Sequence, residues 1–373
     1  DGGIGDFDTL KRFAQFTEKI GGRYAGINPL HHMFPADRSR ASPYQPSDRR
    51  FIDPIYISIA QLLERFHLPE TAALAGVARA AFAGLETLRY VDYTAVWRAK
   101  SNLLEKAFAE FTGDPDFDDF VAAGGDELRR HGVFEARQAQ EDVTPSRIAY
   151  RAFLQWIAEM QLGAVAQYRN LYRDLALGPA FDGGEVSEMP DDFVHGISLG
   201  APPDPFSRTG QVWNLPPFSP LALESAAFAP LSGLLAANMR HAAALRIDHI
   251  LGFMRQFWVP HGAEGRFGAY VNFPVDALIA VTALQSRRNH CMVVGEDLGT
   301  IPEGLREKLA AAHILSYRVL WFEREGAGFK PPSHYPEMAL ACLASHDLPT
   351  FAGWRQGLDI VIEQEIGRLG TNN

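Results

Sequence analysis

Three apolar runs of strand length in this 373-residue chain each end on a carboxylate: Ala243 to Asp248, Val293 to Glu296 and Leu343 to Asp347. In the first, Ala243, Leu245 and Ile247 share one parity, and Ile250 and Leu251 follow the charges. That pattern suits a short strand buried on both faces, and a carboxylate at the end of such a strand is costly unless it is paired or used. Asp248, Glu296 and Asp347 lie 48 and 51 residues apart, the length of one or two strand-helix units at about 30 residues each. Such spacing belongs to a parallel barrel, whose catalytic groups stand at the carboxyl ends of the strands.

Strand-like and helix-like stretches alternate along the chain without an internal repeat or low-complexity segment, which implies an α/β protein with a parallel sheet, closed as a (β/α)8 TIM-type barrel. Asp8 is placed to cap a helix from Thr9 to Ile20 with Leu10, Phe13 and Phe16 inward. A strand is expected to be missing before that helix, and Tyr24 to Leu30 reads as the next one. Phe34 to Pro54 and Gly178 to Pro220 are loops too long to be plain connections. From Ile59 to about Val143 the pattern is helical, notably Ala72 to Leu85 and Tyr93 to Phe111, with Gly113, Gly124-Gly125 and Gly132 as punctuation. The expected division is residues 1–59 and 148–373 in the barrel, with a helical subdomain, 60–147, inserted after its second strand. Helices are expected at Ile148 to Ala166, Ala229 to Ala243, Val275 to Arg288, Pro302 to Ala312 and Leu358 to Leu369. Strands are expected at Leu171 to Leu177, Ser316 to Phe322 and Pro336 to Ala344.

A formal charge of -10 with no Lys/Arg-rich run argues against nucleic acid as a partner and favours a neutral or cationic ligand. No apolar run reaches the roughly 18 to 20 residues of a membrane span, and no signal-like segment opens the chain. Cys291 and Cys342 each begin an apolar run and read as buried reduced thiols, which fits a cytoplasmic location. Nothing in the sequence indicates an oligomeric state.

Retaining glycosyl chemistry needs a nucleophilic carboxylate and a protonated one about 5 to 5.5 Å apart. Asp248 and Glu296, on strands adjacent in order, can meet that demand, and Arg246 shares the face of Asp248 and can aim it. A lone acid at a strand end is often structural; three on separate strands, one with an arginine two residues before it, make that reading weaker. A catalytic metal is not expected, because His249 follows Asp248 directly and would point the other way on an extended strand, where it is either a structural histidine behind the mouth or a direct participant. His346 before Asp347 has the same geometry, and no H-x-H or H-E-x-x-H occurs. Asp174 beside Arg173 is either a site residue or half of a buried salt bridge. Sugars stack on aromatic rings while their hydroxyls take hydrogen bonds; Tyr44, Trp213 and Gln211 in the two long loops are candidates, or else loop anchors. Arg49 and Arg50 could bind phosphate or serve structure.

The segments G-I-G-D-F, G-I-N-P-L-H-H-M-F-P, S-P-Y-Q-P-S-D-R-R-F, L-Y-R-D-L-A-L-G, G-Q-V-W, A-L-R-I-D-H, V-V-G-E-D-L-G-T-I-P and S-H-D-L-P-T occur in that order from Gly3 onward. Together they resemble the 4-alpha-glucanotransferases, or amylomaltases, and especially their bacterial maltodextrin-using branch. The resemblance implies a retaining double displacement on α-1,4-glucans with Asp248 as nucleophile, Glu296 as acid and base, and Asp347 as the third acid. It implies contacts to the sugar from Arg246, His346, Asp174, Tyr44, Trp213 and Gln211, with no metal or organic cofactor. The chain departs from the family pattern at Asn214, where glycine is usual, and at Ser345, where threonine is usual. It also lacks the family's first and last barrel strands, so an incomplete barrel with two open edges is expected. An α-amylase-like hydrolase and an inactive glucan-binding fragment are the alternatives.

Overall fold

The computed structural model describes residues 1–204, 207–365 and 367. Six parallel strands form one curled sheet in chain order: β1 (Ala25–Gly26), β2 (Leu171–Leu175), β3 (Ala244–Ile247), β4 (Met292–Gly295), β5 (Leu315–Val319) and β6 (Ala339–Cys342). Among the described residues β1 pairs only with β2, and β6 only with β5, so the sheet is an open half-barrel of TIM type. Helices fill the connections up to β5. All four residues of β3 are buried, as the parity of its apolar residues demanded, and each buried leucine or isoleucine contributes about 1.5–3 kcal/mol. Gly295 closes β4 because a Cβ there would lie 2.6 Å from Ile250 of the turn after β3.

Three apolar clusters hold the sheet. One joins the helices to the N-terminal end of the chain, from Phe7 through Val96, Leu104, Phe153 and Ile157 to Leu171. A second lies under β3 and β4 and includes Leu234, Leu245, Leu278 and Val293. The third, Val294, Tyr317 and Val319, fills the inside of the curl. Between β1 and β2 run five helices, Ile59–Arg65, Pro69–Glu86, Tyr93–Glu110, Pro115–Gln138 and Pro145–Ala166. Gly124-Gly125 does interrupt the fourth of these: Gly125 is non-helical, at φ 50° and ψ -136°, and two helical segments meet there across a kink.

Several expectations need correction. The first helix is Phe7–Lys19, and its cap is Asp6, whose carboxylate accepts from the Asp8 and Thr9 N–H groups. Phe13 and Phe16 point outward, 45% and 55% exposed. The Phe34 to Pro54 loop contains a strand, Asp48–Ile52, antiparallel to His31–His32. The Gly178 to Pro220 loop contributes Ile197–Ala201 and Gln211–Val212 to a four-stranded antiparallel sheet with Arg255–Pro260 and Ala269–Asn272. This sheet rises beside the carboxyl end of β3 and walls the mouth. Cys291 is buried and Cys342 half-buried, both free. The last helix is described as Leu358–Glu365, and the rest of its expected span lies outside the described residues, apart from Gly367.

Candidate active site

Asp174 on β2 stands opposite Arg246 on β3 in the sheet register, so a carboxylate and a guanidinium meet across neighbouring strands. Arg246 Nη1 donates to both oxygens of Asp174 at 2.8 and 3.1 Å, and Nη2 reaches Asp248 Oδ1 at 2.8 Å. Asp248 follows β3 directly, its own N–H spent on the Leu175 carbonyl at 3.0 Å. Burial alone would weaken the charge on Arg246, but Asp174 and Asp248 push its pKa well above the ordinary value. Asp174 titrates above its usual range because burial outweighs the help of Arg246. Arg173, on the other face of β2, does not pair with Asp174; it donates to the Asn238 carbonyl at 3.0 Å on the helix behind.

Glu296, immediately after β4, is gripped by two backbone donors. Leu298 N–H reaches Oε1 at 2.8 Å and His249 N–H reaches Oε2 at 2.9 Å. Burial first, and the nearby Asp248 second, push its pKa up to about 7. The neighbouring Asp297 takes no part in the mouth: fully buried, it accepts from Ser316 Oγ at 2.6 Å and Tyr317 N–H at 2.9 Å and staples β4 to β5. His249 does not point behind the mouth. The strand ends at Ile247, and His249 adopts φ 48°, ψ 55°, so its ring lines the cleft edge-on to Trp213 at 5.0 Å. Burial lowers its pKa and keeps the ring neutral.

The loops bring the remaining candidates to the same place. Tyr44 donates to Asp174 Oδ2 at 2.7 Å and stacks on His346 at 4.3 Å; burial, then Asp174, keeps its phenol protonated. His346 Nε2 lies 3.3 Å from Asp347 Oδ1, and both face the cleft. Trp213 Nε1 donates to Gln211 Oε1 at 3.0 Å, and Gln45 holds the Trp213 carbonyl at 2.8 Å. Asn214 has φ 57°, a left-handed conformation that asparagine tolerates better than most residues. Asp248, His249, Glu296, Trp213, Gln211 and Asp347 are shared by two lobes of one cleft, about 270 and 510 Å³. The smaller lobe is walled by Arg255, Phe257 and Tyr270 of the antiparallel sheet. Sequence reasoning missed these three; the alternation R-Q-F-W-V-P was the available signal for Arg255 and Phe257, and the short A-Y-V-N for Tyr270.

Arg49 and Arg50 are structural. Arg49 donates to Glu185 and to the Leu177 carbonyl, and Arg50 spans Asp48, Glu188 and Glu127. Among the described residues the one group with metal-ligand spacing is Asp48, His131 and Glu188, whose donor atoms lie within 4.8 Å of one another. Arg50 already bridges its two carboxylates at 2.6 and 3.0 Å, so the cation there is the protein's own.

Parallel strands in chain order, with acids gathered in a cleft at their carboxyl ends, define a (β/α)-barrel protein. Within that class, the family described as 4-alpha-glucanotransferase matches residues 1–146 and 137–368, and the chain belongs to it. A 4-alpha-glucanotransferase of Haemophilus influenzae is 33% identical over 98% of this chain, and one of Mycobacterium bovis 31% identical over 98%. The amylomaltase of Corynebacterium glutamicum superposes over the whole chain with a TM-score of 0.93 at 29% identity. An amylomaltase from Streptococcus agalactiae, solved with acarbose, shares the fold at a TM-score of 0.80 and 20% identity. The chain spans 60% of the Haemophilus protein, 57% of the Mycobacterium protein and 56% of the Corynebacterium one. No helix among the described residues is long and apolar enough to cross a membrane.

Proposed function

We propose that this chain carries the machinery of a 4-alpha-glucanotransferase that moves segments of α-1,4-glucans between maltodextrins by retaining double displacement. The observation that carries the reading is the contrast between two neighbouring acids. Asp248 has the guanidinium of Arg246 at 2.8 Å, whereas Glu296 forms no direct ion pair among the described residues and, with Arg246 only partly offsetting burial and Asp248, is pushed up to about 7. Two neighbouring acids, one in an ion pair with a guanidinium and one gripped by backbone N–H groups, divide into nucleophile and proton donor.

In the first step the Asp248 carboxylate bonds to the anomeric carbon. The glycosidic C–O bond breaks, and its oxygen takes the proton of Glu296 and leaves as a new 4-hydroxyl. In the second step the Glu296 carboxylate takes the proton of an incoming 4-hydroxyl, whose oxygen bonds to the anomeric carbon and displaces Asp248. Asp347 and His346 hold the hydroxyls of the reacting sugar, and Arg246, fixed by Asp174 and Tyr44, keeps Asp248 aimed. Trp213 and Tyr44 supply ring surface for the glucan. Room on two sides of the acids supports transfer, since donor and acceptor both need a berth. The acarbose bound by the Streptococcus relative is an oligosaccharide of the kind this cleft would take.

Incubation with maltotriose tests the proposal. Transfer yields glucose and a ladder of longer maltodextrins with the number of reducing ends constant. Reducing ends rising in step with bond loss would make the chain a hydrolase of the α-amylase kind, and binding without turnover would leave it a glucan-binding segment.

A further inference from the structure

The turn after β3 holds a group with no role in the scheme above. His249 is one of eight described non-glycine residues with positive φ, and its position is stapled on every side. The Asp248 N–H goes to Leu175, the Ile250 N–H to the Glu296 carbonyl, and the Glu296 N–H to Ile247, at 3.0 Å in each case. One N–H in this turn is therefore left to face the Glu296 carboxyl, and it belongs to His249. With Leu298 on the other oxygen, the carboxyl plane is set by two main-chain donors, which cannot swing away as side-chain donors can. Each oxygen keeps a free lone-pair direction for a proton.

We infer that His249 is a positioning residue acting through its backbone: its left-handed conformation aims an N–H at Glu296 and so sets where the acid holds its proton. The imidazole is dispensable for this task. The residue type follows from the conformation, because histidine and asparagine are enriched at positive φ among non-glycine residues whereas β-branched residues are outliers there. An N–H donated to a carboxylate also favours its ionised form, so this bond opposes the burial and the Asp248 charge that raise Glu296. Removing it raises Glu296 further and leaves the acid unable to serve as base in the second step. The inference rests on the reading of Glu296 as the acid.

The test compares pH profiles of maltotriose transfer for the unaltered chain, His249→Gly, His249→Asn and His249→Val, with Glu296→Gln as control. The glycine and asparagine variants keep the left-handed turn and should keep the Glu296 limb in place, with the loss of the ring beside Trp213 read in KM rather than in kcat. The valine variant should lose about tenfold or more in kcat with little change in KM, and its Glu296 limb should move upward by about one pH unit. Loss in the glycine or asparagine variants equal to that in valine would assign the effect to the imidazole and overturn the inference, as would a valine variant with unaltered kcat and limb. If the valine variant does not fold, the glycine and asparagine variants decide alone, retention supporting the inference and loss overturning it. Carbon-13 titration of the Glu296 carboxyl makes the same comparison without turnover. A Glu296→Gln variant with an unaltered profile would instead remove the acid assignment, so the two failures are distinct.

Discussion

Two regions of the molecule bury arginines against carboxylates, and they are built to different ends. Between the helices and the long loops, Arg38 grips Asp53 with two bonds of 2.6 and 3.0 Å. Arg49 holds Glu185 there, and Arg50 spans Asp48 and Glu188. In that region each arginine is consumed by partners that lie away from the two lobes of the mouth. At the barrel mouth a single guanidinium, Arg246, serves Asp174 and Asp248, while Glu296 receives only backbone N–H groups and opens on the cleft. A raised proton affinity does not separate the two regions, since burial and Asp48 push Glu188 up to about 7 as well. What separates them is access: a surplus acid beside an open cleft can exchange its proton with a ligand, whereas a closed network can only hold elements together.

The sharpest break of this contrast is Asp248→Asn. Transfer from maltotriose should fall by roughly four orders of magnitude, while maltoheptaose binding measured by calorimetry stays within a few-fold. Turnover near that of the unaltered chain would take the nucleophile away from the mouth. On the closed side, Arg49→Met strands Glu185, whose side chain is wholly buried, and should cost about 3–5 kcal/mol by urea unfolding. Adding Glu185→Leu should recover most of that loss. A single-variant cost below about 1 kcal/mol would mean that the network does not hold the loops to the helices.

The difference between the regions also decides what could be read in the sequence. Asp248 and Glu296 were legible because an acid ending an apolar strand violates local pattern, and order along the chain is order across a parallel sheet; Asp347 reaches the cleft differently, from the loop after β6, which ends at Cys342 with Leu343 58% exposed. The antiparallel wall was not legible, because Gln211–Val212 is two residues long and Ile197–Ala201 pairs with Arg255–Pro260 across a long sequence gap. Such pairing is decided by tertiary contact rather than by propensity. Phe13 and Phe16 show the same limit from the other side: periodicity marks an apolar stripe without saying what covers it. His249 was misplaced because its role depends on a backbone angle, which residue type only biases. In V-V-G-E-D the two adjacent acids part company: Glu296 faces the cleft, and Asp297 turns into the sheet, where it accepts from Ser316 and Tyr317.

A milder break comes from pH. With Glu296 as the proposed acid, bond cleavage needs it protonated, and its pKa is raised to about 7, so kcat/KM for maltotriose should be maximal below that value. It should fall about tenfold per unit as pH rises beyond it. Glu296→Gln should remove this limb along with most of the rate. A limb at the ordinary glutamate value, near pH 4, would show that burial and Asp248 do not act on this carboxyl as its surroundings require.

The smallest expected effect lies where the two regions come closest in design. Tyr44 lends Asp174 a hydroxyl at 2.7 Å while its ring stacks on His346. It thus joins a buried, arginine-held carboxylate to the exposed rim of the cleft. Tyr44→Phe removes the hydrogen bond but keeps the ring, and Arg246 still holds Asp174 through two contacts. The loss should therefore be that of one hydrogen bond, about 1 kcal/mol or roughly fivefold in kcat/KM. Tyr44→Ala removes the ring as well and, if that ring is a glucan platform as proposed, should raise KM for long maltodextrins more than for maltotriose, because stacking area rather than charge is then lost. Equal losses in the two variants, all in kcat, would instead place Tyr44 with the charge network and make its hydroxyl, through Asp174 and Arg246, part of what aims Asp248.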